Sequence, residues 1–542
     1  MNSDYKKIKS IKDLTTVFVN IFPIFFKTKK ELGIFSMCAY RYSKEHKKKI
    51  FTKYLKLQNN KFKVRTLFKK GIGFTIGKYV YYFNVINIKI DPEVIKNNPP
   101  QNLCTMEFES GKDILELPIV YNAIYYKNYL GKVGKIFRYK DSDLVCYFRQ
   151  TKMNSIAITV RKKNVTDEFK EKIKIFFAKL FSIITPKKDI ILFYEKEANK
   201  FEESSSIVYE KLIDLGYKNA YFIIKKESKH NAFIKEKYKK NVIYAYTFKH
   251  YYYFFKCHKF IGTESVPHAI ELRVANPLIT KKFIKKNYKQ VFLQHGVMYM
   301  VALNPTSRGA FLKSGNELPD DVKIVVSSKE EAKHFIDLGG FSMEDLYITG
   351  LPSYDRNIKK KDADKIVIML TWRSWEYNIL ENDYKKSKYY KMIQNIIKNI
   401  PKEYQDKVYV LPHPLILDRL KNSDLRIPDI LSYDKVLEET ALLITDYSSI
   451  SYSAFYRGSN IIFCFEELEE CMEHYQSHLM LNESNAFGDI SYKFEDLKEL
   501  VIKNYMKKQS NKNKKRYKKI VEFDDNKNTE RLIEYLKKDN FI

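Results

Sequence analysis

From residue 189 onward the chain alternates two textures. Short apolar runs (DIILFY, AYFII, NVIYAY, KFIGT, QVFLQ and VKIVVSS) recur up to residue 328, and segments of helical period separate several of them. Continuous apolar runs of this length read as strands buried on both faces. Their alternation with helices predicts a parallel sheet covered on each side. SSIVYEKLIDLG is an amphipathic helix that Gly216 ends. The rhythm restarts at DKIVIML (364–370) and continues through KVYVLP, ALLIT and NIIFCF. The pattern therefore predicts two doubly wound α/β halves, 186–350 and 351–542. They join around Gly350, Pro352 and NIKKKDADK, and the second carries a basic helical tail with NKNKKRYKK.

The preceding chain reads differently. Residues 1–60 look basic and helical. Residues 61–165 form a β-rich module, with YVYYFNVINIKI, LELPIVY, LVCYFRQ and SIAITVRK as strands. GIGFTIG lacks the GxGxxG spacing of a phosphate loop, and a strand-like run follows it, so it reads as a turn. A linking helix spans 168–184 before Pro186.

A chain of 542 residues exceeds one hydrophobic core. The six cysteines form no CxxC pair, which argues against zinc sites and a disulfide framework and fits a reducing compartment. The net charge of +32 attracts polyanions or anionic lipid; an AT-rich genome accounts for a lysine-rich composition equally well. The apolar stretch 14–26 has basic flanks, holds Asn20 and Pro23, and is too short to span a bilayer. It reads either as a segment lying on an anionic membrane surface or as a helix packed on its own domain.

Ligands of doubly wound sheets bind beyond the carboxyl ends of the strands, so polar residues just after strands matter most. Three such clusters lie in the second half: Thr371 and Arg373, His413, and Asp446 with Ser448 and Ser449. Serine hydroxyls and free N–H groups at a helix start favour phosphate, and Arg373 offers a planar fork suited to it. Asp446 repels phosphate, so it caps the helix or orients a neighbour; Asp and Ser also cap helices without any ligand. His413, kept from a regular helix by Pro414, can donate to phosphate, act as an acid or be structural. In the first half, His295-Gly296 ends a strand. Gly296 permits close backbone approach, and His295 is a candidate proton acceptor from an attacking hydroxyl. The cluster from Glu195 to Ser206, including Ser205, can hold a polyol acceptor or simply cap a helix.

These residues resemble the CDP-glycerol glycerophosphotransferase family, the teichoic-acid glycerol- and ribitol-phosphate primases and polymerases. The matching segments are His295-Gly296, TWR at 371–373, HP at 413–414 and TDYSSISYSAFYRG at 445–458, in matching order over roughly 190–505. The resemblance implies a GT-B-like fold: two Rossmann-like halves facing a cleft, preceded by the helical and β-rich N-terminal module. It implies transfer of a polyol phosphate from CDP-glycerol or CDP-ribitol to a lipid-linked or polymeric acceptor, with release of CMP, at the cytoplasmic membrane face. His295 becomes the general base and His413 the second essential histidine, stabilising the donor phosphates. Thr371, Arg373, Ser448 and Ser449 bind the donor phosphates, with Asp446 and Gly296 in support. Two segments depart from the family pattern: Gln294 stands where an aromatic residue is usual, and GLPSYDRN displaces an arginine. They leave the polyol and the acceptor open, and a capsular polymer fits as well as wall teichoic acid.

No DxD-like element stands at a strand end, so no cofactor and no essential metal are expected; DSD at 141–143 reads as a turn. Two other functions stay in view. One is a GT-B glycosyltransferase using a nucleotide-sugar. The other is a non-enzymatic polyanion-binding protein, suggested by KHYYYFFKCHKF, whose aromatics the α/β pattern explains better as core. Nucleic acid is not expected as a partner.

Overall fold

A computed structural model describes residues 18–20, 24–43, 52–58, 60–67, 72–77, 79–97, 101–110, 113–121, 136–150, 156–303, 312–313, 318–376, 379–380, 383–413, 416–428 and 433–542. The chain forms two compact units. One comprises residues 1–187, 246–256 and 271–287; the other holds 188–245, 257–270 and 288–542.

In the first unit the described residues form a nine-stranded, mainly antiparallel sheet and a four-stranded antiparallel one. The expectation of a helical segment over 1–60 fails where the residues are described: Ile24–Lys27, Leu32–Ser43 and Thr52–Leu57 are strands. The reason is a period of two. Ile34 and Ser36 turn inward while Phe35 and Met37 are exposed, so residues 34–37 alternate between the core and solvent. Thr28 makes the preceding turn, its hydroxyl accepting from the Lys30 and Glu31 amides. Of the stretch 14–26, residues 14–17 and 21–23 lie outside the described residues and the others are in strands. The described part of GIGFTIG is also strand rather than turn; Ile72–Ile76 pairs with Tyr79–Ile90, and Gly77 takes the left-handed turn conformation. The linking helix is α1 (Phe169–Ile184). Helices α2 (Phe248–Lys256) and α3 (Pro277–Lys285) fall in this unit, although the sequence pattern assigns them to the first α/β half.

The second unit contains both parallel sheets. The first has seven strands: β1 (Ile191–Tyr194), β2 (Ala220–Ile224), β3 (Val242–Tyr244), β4 (Lys259–Gly262), β5 (Lys289–Phe292), β6 (Asp321–Val326) and β7 (Leu346–Ile348), in spatial order β3-β2-β1-β4-β5-β6-β7. The second has five: β8 (Lys365–Ile368), β9 (Val408–Val410), β10 (Thr440–Thr445), β11 (Asn460–Cys464) and β12 (Asp489–Ser491), in order β9-β8-β10-β11-β12. Each order reverses once, between β1 and β4 and between β8 and β10. Those are the topological switch points where such sheets hold ligands. The two-halves, Rossmann-like reading is what the sheets display.

The halves share a core. Buried side chains run continuously from Val208 and Phe222 through Tyr354 and Tyr452 to Tyr517 and Leu536. The C-terminal segment does not stay with the second half. In α7 (Asn528–Lys538), which follows α4 (Lys329–Gly339), α5 (Ile450–Tyr456) and α6 (Asn511–Ile520), the Asn528 and Thr529 amides donate to Asp355. Beyond α7, the Tyr347 hydroxyl bonds Asp539 at 2.5 Å. Cys104, Cys146, Cys257, Cys464 and Cys471 are buried free thiols.

Candidate active site

The β1–β4 switch point is closed by a carboxylate. Glu195 is fully buried, and its oxygens accept from the amides of Glu202 (3.0 Å), Glu203 (2.9 Å) and Ser206 (3.0 Å). These bonds tie the end of β1 to the start of the helix Ser204–Asp214. Burial, with the Glu203 charge adding, pushes the carboxyl up to about 8 against the pull of the three N–H groups. Ser205 is equally buried and donates to the Ile261 carbonyl at 3.3 Å. Both acceptor candidates are therefore interior capping groups, with no surface to offer a polyol.

What the switch point presents instead comes from the loops around it. After β4, the Glu264 backbone carbonyl receives the Tyr194 hydroxyl (2.8 Å) and the Gln290 amide (3.0 Å). This fixes the Glu264 carboxylate between two imidazoles, 3.9 Å from His268 Nε2 and 3.9 Å from His295 Nδ1. The Glu197 amide donates to His268 Nδ1 at 3.3 Å, from a loop in which Glu197 and Ala198 both hold left-handed backbone. Such backbone in non-glycine residues stores strain and gathers at functional sites.

His295 is presented by its neighbours. Gln294 takes a left-handed conformation (φ 57°) at the end of β5, is fully buried, and donates to the Val325 carbonyl at 2.6 Å. The turn sends Gln294 inward and leaves the His295 side chain 54% exposed. Just beyond, the buried Glu331 of α4 accepts from Met298 N (2.7 Å), Ser327 N (2.5 Å) and Ser327 Oγ (2.7 Å). The same loop then binds the second half: Ala302 N donates to His478 O and Met480 N to Met300 O, each at 2.9 Å.

In the second half, Asp446 is fully buried after β10, and its Oδ1 accepts from Thr371 N (2.9 Å) and Thr371 Oγ1 (2.7 Å) after β8. Burial raises its pKa; the Arg373 charge and the Thr371 bonds oppose this. Arg373 is only 1% exposed. Its Nη2 pairs with Glu467 at 2.7 Å and reaches Met392 Sδ, and the guanidinium stands 5.9 Å from the Tyr389 ring centre. Thr371, Arg373 and Asp446 thus form a polar knot inside the β8–β10 switch point. Arg373 Nε and Nη1 and Asp446 Oδ2 find no hydrogen-bond partner among the described residues. Asp446 orients a neighbour, one of the two roles open to it.

Ser448 and Ser449 remain at the surface of this knot, half-buried, where their carbonyls start α5 by accepting from Ser451 and Tyr452. Neither hydroxyl is spent on another described residue. His413 follows β9, its ring stacked on Trp372 (5.9 Å, 17° between planes). Burial, with the neighbouring Lys196 and His295 adding, pushes His413 down to about 4, so its imidazole is neutral at pH 7.

The two sheets therefore bring together His295, Gly296, Glu264, His268 and Lys196 on one side with His413, Trp372, Ser448 and Ser449 on the other. Glu195, Ser205, Arg373 and Asp446 are buried beneath them, and Thr371 is half-buried. Sequence reasoning missed Glu264, His268 and Lys196, although GTESVPH and YEKEA stand directly after strands, the signal used for the other loops.

Residues 176–538 match the model of a family described as CDP-Glycerol:Poly(glycerophosphate) glycerophosphotransferase. The minor teichoic acid biosynthesis protein GgaB of Bacillus subtilis (strain 168) is 26% identical over 378 residues, which cover 64% of this chain and 39% of that protein. This chain thus spans about two-fifths of that relative's length. Among solved structures, the wall teichoic acid polymerase TagF is 14% identical and covers 70% of this chain and 98% of its own, with a TM-score of 0.48. The calicheamicin glycosyltransferase CalG4 is 10% identical, covers 65% of this chain and 99% of its own, and has a TM-score of 0.34.

Proposed function

The chain belongs to the CDP-glycerol:poly(glycerophosphate) glycerophosphotransferase family, and on that premise we propose that it transfers a polyol phosphate, glycerol phosphate or ribitol phosphate, from a CDP-activated donor to a hydroxyl of a growing teichoic-acid-like or capsular polymer, releasing CMP. The observation that carries this reading is the meeting of strand-end loops from different sheets: a Cβ on Gly296, beside His295, would stand 3.1 Å from the hydroxyl oxygen of Ser449.

In this reading the acceptor oxygen attacks the donor phosphorus that bears the polyol. The bond from that phosphorus to the bridging oxygen breaks, and its electron pair leaves with CMP. The acceptor proton passes to His295, whose ring Glu264 orients from 3.9 Å. Neutral His413 donates one N–H to the donor pyrophosphate, and the Ser448 and Ser449 hydroxyls donate beside it. Phosphoryl transfer is mostly positioning and charge stabilisation, which these groups supply. The reaction is proposed to run without a metal, at the cytoplasmic face of an anionic membrane, on a lipid-linked or polymeric acceptor. The +32 charge complements such a surface.

The test is CMP release from CDP-glycerol and CDP-ribitol by the purified protein with a synthetic polyol-phosphate acceptor, run beside a panel of nucleotide-sugars. Acceptor-dependent CMP release that disappears in His295→Ala is the expected result and identifies the polyol. Turnover of nucleotide-sugars alone would overturn the donor assignment. Salt-sensitive polyanion binding with no turnover of any donor would overturn the enzyme reading.

A further inference from the structure

The loop that leaves His295 is held from two sides. On the first-half side, α4 and the residues on it hold positions 298, 299 and 303. Glu331 accepts from the Met298 amide at 2.7 Å, Glu330 from the Tyr299 hydroxyl at 2.9 Å, and His334 Nε2 from the Leu303 amide at 3.3 Å. The residues between these points turn to the second half. Val301 and Leu479 face each other in an antiparallel bridge, flanked by the bonds from Ala302 N to His478 O and from Met480 N to Met300 O. The Ser477 hydroxyl adds a third bond, to the Ala302 carbonyl at 2.7 Å. Val301, Leu479 and Met480 also pack against the core that the two halves share.

The second-half side of this clamp runs back to the loop after β8. Residues 477–480 follow the helix Leu468–Tyr475, which Gln476 ends in left-handed backbone (φ 53°). Just before that helix, Glu467 pairs with Arg373 at 2.7 Å; at its last residue, the Tyr475 hydroxyl donates to the Trp372 carbonyl at 3.3 Å. The segment 467–480 is therefore anchored on Trp372 and Arg373 at one end and on the His295 loop at the other.

We propose that Ser477 and Leu479 are positioning residues for the transfer: by clamping the 297–303 loop through Ala302 and Val301, they set where His295 stands against the donor half. The proton acceptor and the donor site belong to different sheets, and a misplacement of about 1 Å costs on the order of a hundredfold in rate. The His295 imidazole is 54% exposed, and Glu264 stands 3.9 Å from it, beyond hydrogen-bond length. Its position therefore depends on the backbone that carries it. A loop tied to α4 alone would follow the first half in any relative movement of the two; the bridge makes it follow the second half. Ser477 and Leu479 act through that loop and not on the substrate. The inference rests on the proposed function and deepens it.

In an antiparallel bridge flanked by its hydrogen bonds, the facing Cα atoms stand about 4.5 Å apart, a distance a disulfide spans. Val301→Cys/Leu479→Cys combined with Ser477→Ala therefore gives one full-length protein readable in two states. Reduced, it has lost a hydrogen bond and two apolar side chains from the clamp. Its kcat for CMP release is expected to fall about ten- to a hundredfold, with the donor KM changed by less than about twofold. Oxidised, the clamp is covalent, and kcat is expected to return to within about threefold of wild type. Wild-type protein carried through the same oxidation is the control for its own thiols, Cys104, Cys146, Cys257, Cys464 and Cys471 being buried. A reduced variant as fast as wild type overturns the inference. So does a kcat that oxidation leaves low, which assigns the bridge to stability alone, and so does a disulfide that fails to form. Loss of turnover on oxidation also overturns it, because the bridge would then have to part in each cycle. Hydrogen exchange reads the clamp without turnover: in Ser477→Ala, amides of 295–303 are expected to exchange faster while those of β8 and β10 keep their rates. Unchanged exchange across 295–303 overturns the inference. Wild-type protein that releases CMP from no donor counts against the proposed function instead, and the exchange then decides the clamp.

Discussion

Gly296 and Ser449 belong to different sheets, yet a Cβ on Gly296 would stand 3.1 Å from the Ser449 hydroxyl oxygen. The backbone beside His295 thus rests directly on a serine of the proposed donor site. Gly296→Ala leaves room only if Ser449 shifts by a few tenths of an ångström or rotates its hydroxyl. The expected outcome is a melting temperature within a few degrees of wild type and CMP release reduced about tenfold. Gly296→Val is expected to lose more. Unchanged turnover in both variants would remove this contact from the machinery.

Glu264 bridges His268 and His295 without lying on the element that carries His295. Its role is orientation, so Glu264→Gln should lower kcat by about ten- to a hundredfold with little change in the KM for the donor. Glu264→Asp should recover part of the loss. A rise in KM with kcat intact would instead assign Glu264 to donor binding.

Two histidines make the fold sensitive to acid. His334 of α4 is buried (3% exposed), its Nε2 accepts from the Leu303 amide at 3.3 Å, and burial pushes it down to about 4. His413 is pushed down equally far. An unfolded imidazole takes its proton near pH 6.5, whereas these folded ones wait until about 4. Between those values the unfolded chain binds more protons, so stability is complete above about pH 6.5 and falls as pH drops toward 4. The loss from His334 is on the order of 3 kcal/mol. His334→Gln keeps an acceptor for Leu303 and should flatten that part of the profile in urea melts at pH 4.5 and 7.

Arg373 and Asp446 should behave as parts of the frame. Asp446→Ala strips Thr371 of its acceptor and removes a counter-charge from a guanidinium that is 1% exposed. The expected loss of stability is about 3–5 kcal/mol. Arg373→Lys should also destabilise, because an ammonium cannot reproduce the fork held between Glu467, Met392 and Tyr389. Calorimetry separates this from a phosphate-binding role, which would raise the donor KM in a protein that melts normally.

The proposed chemistry draws its positive charge and donors from side chains. CMP release is therefore expected to persist after dialysis against a chelator and to gain nothing from added divalent cations. A chelator-sensitive rate restored by Mg²⁺ or Mn²⁺ would bring a metal into the mechanism.

The strands were legible because buried parallel strands are continuous apolar runs that need no tertiary context. β7 and β12 escaped because their three residues stand outside any longer apolar run, whereas the equally short β3 and β9 sit within NVIYAY and KVYVLP. His295, His413, Ser448 and Ser449 were found because the strand-end rule applies to any doubly wound sheet. The same rule also picked out Glu195, Ser205 and Arg373, which the fold buries, and Thr371, whose hydroxyl it ties to Asp446. A strand-end polar group can face the ligand or hold the loop that does, and sequence spacing does not distinguish burial from exposure. The segment 1–60 was misread because apolar residues stand on both faces of Leu32–Ser43 (LGIFSMCAYRYS), so the sequence shows no alternation there.

The sequence by itself determined that the chain carries two parallel sheets and which loops follow their strands, because periodicity and turn chemistry are local. It also carried the motif order that marks the family. Only the tertiary structure decided which of those loops meet. Strand order sets the neighbours: β4 beside β5 brings Glu264 and His268 toward His295, and β8 beside β10 sinks Asp446 under Thr371. The tertiary structure also decided the orientation of α1. Phe176, Leu180 and Ile184 are exposed, while the Tyr251 hydroxyl and the Lys256 ammonium of α2 bond Glu171 and the Ser182 carbonyl on its other side.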